Sequence, residues 1–211
     1  TPLTGQLLIN EYSASNINTL IDNHGEYEDW VELYNAGTAV VNLQGFHLSD
    51  NYSKPDKWTF PNVTINPNDF LIIYCSSRNE FAGGFVHTNF KLTQTKGDKI
   101  ILTDASLALL DSTSMRLTQK NNSRGRTTNG ALTWSLFISP TPGASNSNPK
   151  TDYDARPVFS IPQGFYPAAT TVSISCADPN AVIYYTTNGH VPTASSTVYS
   201  APVSISANTV L

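Results

Sequence analysis

Charge is scarce in this chain of 211 residues: Asp, Glu, Lys and Arg together make up 13%, against a usual share of about 25%. The formal net charge is −4, and the one local basic group is Arg116, Lys120, Arg124 and Arg126. The attraction to phosphates that dominates nucleic-acid binding is therefore missing, and no nucleic-acid partner is expected. No apolar run approaches the roughly 18 residues that a membrane span requires, so none is expected in this chain. Cysteine is limited to Cys75 and Cys176, which fall in different halves; two buried free thiols are a better reading than a disulfide. The four histidines, His24, His47, His87 and His190, are scattered singly, without the His-x-x-x-His spacing of a catalytic zinc site. Gly-x-Ser-x-Gly and phosphate-cradling glycine loops are absent as well. No catalytic residue is predicted, and the chain is not read as an enzyme.

What the chain does have is β patterning. Residues 30–34 alternate, with Val31 and Leu33 on one side and Trp30, Glu32 and Tyr34 on the other, the period of a strand with one face in a core. Asn35-Ala36-Gly37-Thr38 supplies turn chemistry, and Gly45-Phe46-His47-Leu48 reads as the next short strand. Residues 7–12 form a first strand, residues 70–74 a continuous apolar one, and residues 99–103 and 107–111 a hairpin. Residues 114–118 read as a further strand. The polar stretches 13–27, 76–90 and 119–130 read as loops. Thirteen Pro and twelve Gly leave little room for long helices. From residue 139 to 156 the composition turns to Pro, Ser, Asn, Thr and Asp. The predicted division is a first domain at 1–146, a linker at 147–156 and a second domain at 157–211. Alternation resumes at Thr171-Val172-Ser173-Ile174-Ser175-Cys176. The fold class is all-β: two β-sandwiches, the second of them short for about seven strands over about 100 residues. It is expected to be incomplete, and the polypeptide part of a longer protein.

Two groups of side chains are candidates for binding. Asp22, Glu26, Glu28 and Asp29 supply hard oxygen ligands suited to Ca²⁺, although their spacing is not that of the regular calcium loop; a solvated acidic rim is the alternative. Trp30, Tyr34 and Trp58 form either a surface for sugar stacking or protein docking, or part of the core. Glu32, inside a strand, requires anchoring by backbone N–H groups or a cation.

Several ordered motifs also carry a resemblance. Ile9-Asn10-Glu11, Asp29-Trp30-Val31-Glu32-Leu33-Tyr34-Asn35, Gly45-Phe46-His47-Leu48-Ser49-Asp50 and Lys57-Trp58-Thr59-Phe60-Pro61 resemble the lamin-tail domain in its bacterial secreted form. The likeness closes at Ser139-Pro140-Thr141-Pro142-Gly143-Ala144-Ser145-Asn146. Further on, Phe165-Tyr166, Ile183-Tyr184-Tyr185-Thr186-Thr187-Asn188-Gly189 and Ser196-Thr197-Val198-Tyr199 resemble the small immunoglobulin-like module at the C-termini of chitobiases and β-hexosaminidases. The resemblance implies that both sandwiches are immunoglobulin-like, and that the protein is a secreted or surface-attached bacterial one whose modules bind or scaffold, with a protein or glycan partner at the cell surface. An accessory module of a secreted enzyme, carbohydrate-binding or Ca²⁺-stabilised, is the alternative it leaves open. No cofactor is expected, with Ca²⁺ at the acidic group the one alternative left open.

Overall fold

A computed structural model describes residues 7–96, 99–153 and 155–211; the start of the predicted first domain and Asp154 of the predicted linker lie outside them. The chain divides into two compact units, Thr1–Asp152 and Tyr153–Leu211. In the first unit the strands are β1 (Leu7–Ser13), β2 (Trp30–Asn35), β3 (Val41–Asn42), β4 (His47–Ser49), β5 (Trp58–Thr59) and β6 (Thr64–Ile65). They are followed by β7 (Phe70–Tyr74), β8 (Glu80–Ala82), β9 (Phe85–His87), β10 (Lys99–Thr103), β11 (Leu109–Ser114), β12 (Ser123–Arg126) and β13 (Trp134–Phe137). Among the described residues the helical content is one short turn, Gln94–Lys96.

The alternation at residues 30–34 places β2 at the middle of a seven-stranded sheet, in the order β13-β12-β1-β2-β7-β9-β8. A four-stranded sheet, β11-β10-β4-β5, faces it. Ile9, Val31, Leu33 and Ile73 of the larger sheet and Leu48, Trp58, Ile100 and Leu102 of the smaller one share the hydrophobic core. This two-layer arrangement is what a set of half-buried strands needs in order to cover its apolar faces. The register of β1 on β2 shifts between Ile9 and Glu11, so Asn10 forms a bulge and Glu11 comes opposite Glu32. Bulges of this kind re-aim side chains, and here three polar side chains are turned toward one place.

Three stretches read as loop or linker depart from that reading. Residues 76–90 contain the short hairpin β8–β9, with β9 running parallel to β7. Residues 119–130 contain β12, whose four residues are all buried. Its polar appearance misleads because Arg126 is neutralised by Asp111 at 2.6 Å and Arg124 by Asp152 at 2.6 Å. The expected strand at residues 114–118 does not form; the hairpin strand β11 ends at Ser114. Within the stretch read as linker, Lys150 and Leu136 exchange backbone hydrogen bonds of 2.8 and 2.9 Å. Asp152 also reaches Arg116 at 2.8 Å.

The second unit carries β14 (Val158–Phe159), β15 (Thr170–Val172), β16 (Ile174–Ser175), β17 (Tyr184–Tyr185), β18 (Thr197–Val198) and β19 (Val203–Ile205). They pair as three two-stranded ladders, β14–β16, β15–β19 and β17–β18. Val172 and Ile174 are its buried apolar side chains, while Phe165, Val182 and Val191 stand in solvent. Cys75 is buried in the first unit and Cys176 half-buried in the second, both as free thiols.

Candidate functional site

The acidic group at residues 22–29 does not act as a set. Asp22 closes its own turn, its Oδ1 accepting the backbone N–H groups of His24 and Glu26, both at 2.8 Å. Glu26 pairs with Arg78 at 2.5 Å, and Glu28 with Lys91 at 3.0 Å. Asp29 accepts the Asn16 N–H at 3.3 Å; burial, helped by the neighbouring Glu28 charge, pushes its carboxyl up to about 6. Among the described residues no three His, Cys, Asp or Glu side chains gather as a metal ion requires.

The aromatic group is also dispersed. Trp30 is fully buried and Trp58 is 4% exposed, with the Trp58 indole N–H donated to Asn79 Oδ1 at 3.0 Å. Neither ring presents a face to a ligand, so stacking on these two indoles is ruled out by their position. Tyr34 is half-buried beside its cross-strand partner Phe70, ring centroids 5.1 Å apart, with its hydroxyl donated to Asn68.

Sequence spacing gave no sign that two of the scattered histidines meet. His24 and His87 lie with ring centroids 5.6 Å apart, brought together because β9 pairs alongside β7. His87 Nε2 is 2.7 Å from Asn23 Oδ1, which can only accept, so Nε2 carries the proton. Nδ1 is then the acceptor for the Ser76 hydroxyl at 2.9 Å. A serine, a histidine and an orienting amide in line is the layout of an activated nucleophile. Here Ser76 is 5% exposed and His87 fully buried, and the serine oxygen also takes the Arg78 N–H at 3.2 Å. A substrate cannot reach that oxygen. The line ties the 22–26 turn to β9.

The most elaborate polar arrangement is built on Glu11 and Glu32, opposite each other on β1 and β2 and both fully buried. Glu11 Oε1 accepts the Ser123 hydroxyl at 2.5 Å and the Thr141 N–H at 3.0 Å, and Oε2 accepts the Thr141 hydroxyl at 2.6 Å. Glu32 accepts Asn10 Nδ2 at 2.9 Å and the Gly143 N–H at 2.6 Å. Asn146 joins them, accepting from Asn10 at 3.0 Å and donating to the Arg126 carbonyl at 2.5 Å. The Pro/Ser-rich stretch 139–146 is thus fastened over the sheet by two carboxylates. Burial raises both carboxyls, that of Glu32 up to about 8 with the nearby Glu11 charge contributing to the rise. Gly125, opposite Glu11, leaves the room: a β-carbon there would lie 3.0 Å from Glu11 Cγ and 3.1 Å from Asn146 Nδ2.

The fold and these motifs agree with what comparison finds. A family model of the lamin tail domain matches residues 1–116. The chain belongs to the lamin tail domain family. A second model, the chitobiase/beta-hexosaminidase C-terminal domain, matches residues 161–211, and both are immunoglobulin-like. An endoglucanase of Clostridium saccharobutylicum is 38% identical over 84 residues, covering 39% of this chain and 18% of that protein. The chain therefore spans less than a fifth of that relative's length. The lamin tail match ends at residue 116, whereas the compact unit continues to Asp152. Strands β12 and β13 and the segment held by Glu11 and Glu32 complete the lamin tail sandwich from beyond the matched stretch.

Proposed function

We propose that this chain is a non-catalytic accessory segment of a larger secreted, carbohydrate-active bacterial protein, two β modules that bind or space rather than react. The observation that carries this reading is the use made of the buried polar side chains. Ser76, His87, Glu11, Glu32, Arg126 and Asp111 are all closed off from solvent and committed to holding loops and strands in place. The match of the second unit to a domain of chitobiases and β-hexosaminidases, and the likeness to an endoglucanase, support a carbohydrate setting. The domain division that fits this role is two modules, the first extended past residue 146 to take in Lys150 and Asp152 and the second beginning near residue 157.

A glycan or protein partner would meet the exposed aromatics. Tyr52 stands in solvent with Lys99 Nζ 5.2 Å from its ring centre. Phe165 is fully exposed beside Tyr166, whose hydroxyl is donated to the Pro162 carbonyl at 2.6 Å. These rings offer an apolar face, to which the tyrosine hydroxyls add a polar edge, the combination that suits sugars and protein surfaces alike. The test uses the purified chain on insoluble chitin and cellulose, alongside a turnover screen with chromogenic glycosides. Retention without turnover is the expected result. Turnover abolished by Ser76→Ala would overturn the non-catalytic reading.

A further inference from the structure

Residues 138–149 form a loop with a closed base and a fastened tip. The base is the pair of backbone hydrogen bonds between Leu136 and Lys150; the tip is the grip of Glu11 on Thr141 and of Glu32 on Gly143. Both carboxyls are fully buried in opposed positions on adjacent strands, and among the described residues neither forms an ion pair.

The groups around them are neutral on every side. Strand β1 contributes Asn10 and Glu11 itself, and β7 sets Ile72 opposite Glu32. Strand β12 contributes Ser123 and Gly125, and β13 contributes Phe137, against the Gly125 position. From residues 127–133 come Asn129 and Gly130, and from the loop itself Thr141, Gly143 and Asn146. The cations of β12, Arg124 and Arg126, alternate to the other face of that strand and are engaged by Asp152 and Asp111. Two carboxylates placed like this, with water excluded and no cation, resist ionising together, so a proton is held at neutral pH while the loop is shut.

We infer that residues 138–149 are a flap latched by the protonated Glu11–Glu32 pair, and that the flap opens as the pH rises and the pair gives up its proton to solvent. Opening uncovers the strip of β1 and β2 around Asn10, Glu11 and Glu32 while the hinge at Leu136 and Lys150 stays in place.

The direction follows from linkage. The burial that holds Glu32 at about 8 when shut is lost when the flap opens and the carboxyl returns toward its ordinary 4.5. The latch is fully effective below that lower value and weakens up to the higher one. Opening therefore increases by about tenfold per pH unit between these limits and levels off above them.

Hydrogen exchange of the full chain, corrected for the intrinsic pH dependence, tests this between pH 5 and 8. The Thr141 and Gly143 amides are expected to lose protection by about tenfold per unit and to exchange faster than the amides of β1 and β2 at every pH. In Glu32→Gln, which keeps an oxygen for Gly143 but does not titrate, the loss disappears. A pH-independent wild type, the same slope in the variant, or exchange at Thr141 and Gly143 no faster than in β1 and β2 would each overturn the latch. Should Glu32→Gln not fold, carbon NMR of the Glu side-chain carboxyls in the wild type decides. A Glu32 carboxyl titrating near 8 supports the latch, and one titrating near 4.5 in the folded chain overturns it.

Discussion

The Arg126 guanidinium donates to Asp111 Oδ2 at 2.6 Å with both side chains 2% exposed, and the pair joins β12 of one sheet to β11 of the other. Both side chains also reach the bulged strand: Arg126 Nε donates to the Ile9 carbonyl at 2.8 Å, and Asp111 Oδ2 accepts the Ile9 N–H at 2.8 Å. Removing one partner leaves a buried charge alone. Arg126→Ala is expected to cost about 3–5 kcal/mol in urea unfolding, while the double change Arg126→Met with Asp111→Leu recovers most of that loss. A cost below about 1 kcal/mol for the single change, the range of exposed pairs, would show that the bridge contributes little.

Gly125→Ala tests the close approach that seats Glu11. A methyl group at 3.0 Å from Glu11 Cγ and 3.1 Å from Phe137 forces a shift in a packed region, at about 1–3 kcal/mol. The thermal midpoint should fall, and the amides of Thr141 and Gly143 should exchange faster.

Tryptophan changes separate core from surface. Trp30→Ala and Trp58→Ala are expected to cost about 3–5 kcal/mol each as large-to-small core substitutions. Tyr52→Ala and Phe165→Ala, at exposed positions, should stay within about 0.5 kcal/mol of wild type and reduce retention on polysaccharide. Retention lost only in the tryptophan variants while they remain folded would reverse that assignment.

Stability should favour the acid side of neutrality. Glu32 is raised from 4.5 to about 8 and Asp29 from 3.8 to about 6, so each contributes stability below its unfolded value and loses it as pH rises to its folded one. Urea unfolding is expected to show greater stability at pH 5 than at pH 8. Glu32→Gln should flatten most of the difference and leave the smaller Asp29 portion below about pH 6.

Calcium should have little effect. With Glu26 and Glu28 already neutralised by Arg78 and Lys91, the thermal midpoint is expected to stay the same with millimolar calcium or with chelator. A calcium-dependent rise would return Asp22 and its neighbours to the status of an ion site.

The parts of the fold that could be read from sequence are those where side-chain period and burial agree. Val31 and Leu33 alternate with Glu32 because one face of β2 meets the core, and the apolar run at Phe70–Tyr74 is a strand beside it. Strand β12 could not be read this way, since Ser-Arg-Gly-Arg has no apolar residue; its burial depends on Asp111 and Asp152, distant in sequence. The need for a partner at Glu32 was legible from its place in a strand. Its donors, Asn10 and Gly143, were not, because a bulge and a long return of the chain bring them there. The acidic loop misled for the opposite reason: carboxylates close in sequence take separate cations, Arg78 and Lys91, from separate loop positions.

Both margins of the seven-stranded sheet are shielded. At one side β8 is three residues long, carries Glu80 and turns away through Gly83 and Gly84; at the other, Lys150 covers Leu136. Neither offers a long row of vacant amide and carbonyl groups to a neighbouring molecule. A polypeptide that strings such modules together can be crowded on a surface without its sheets fusing rim to rim into aggregates.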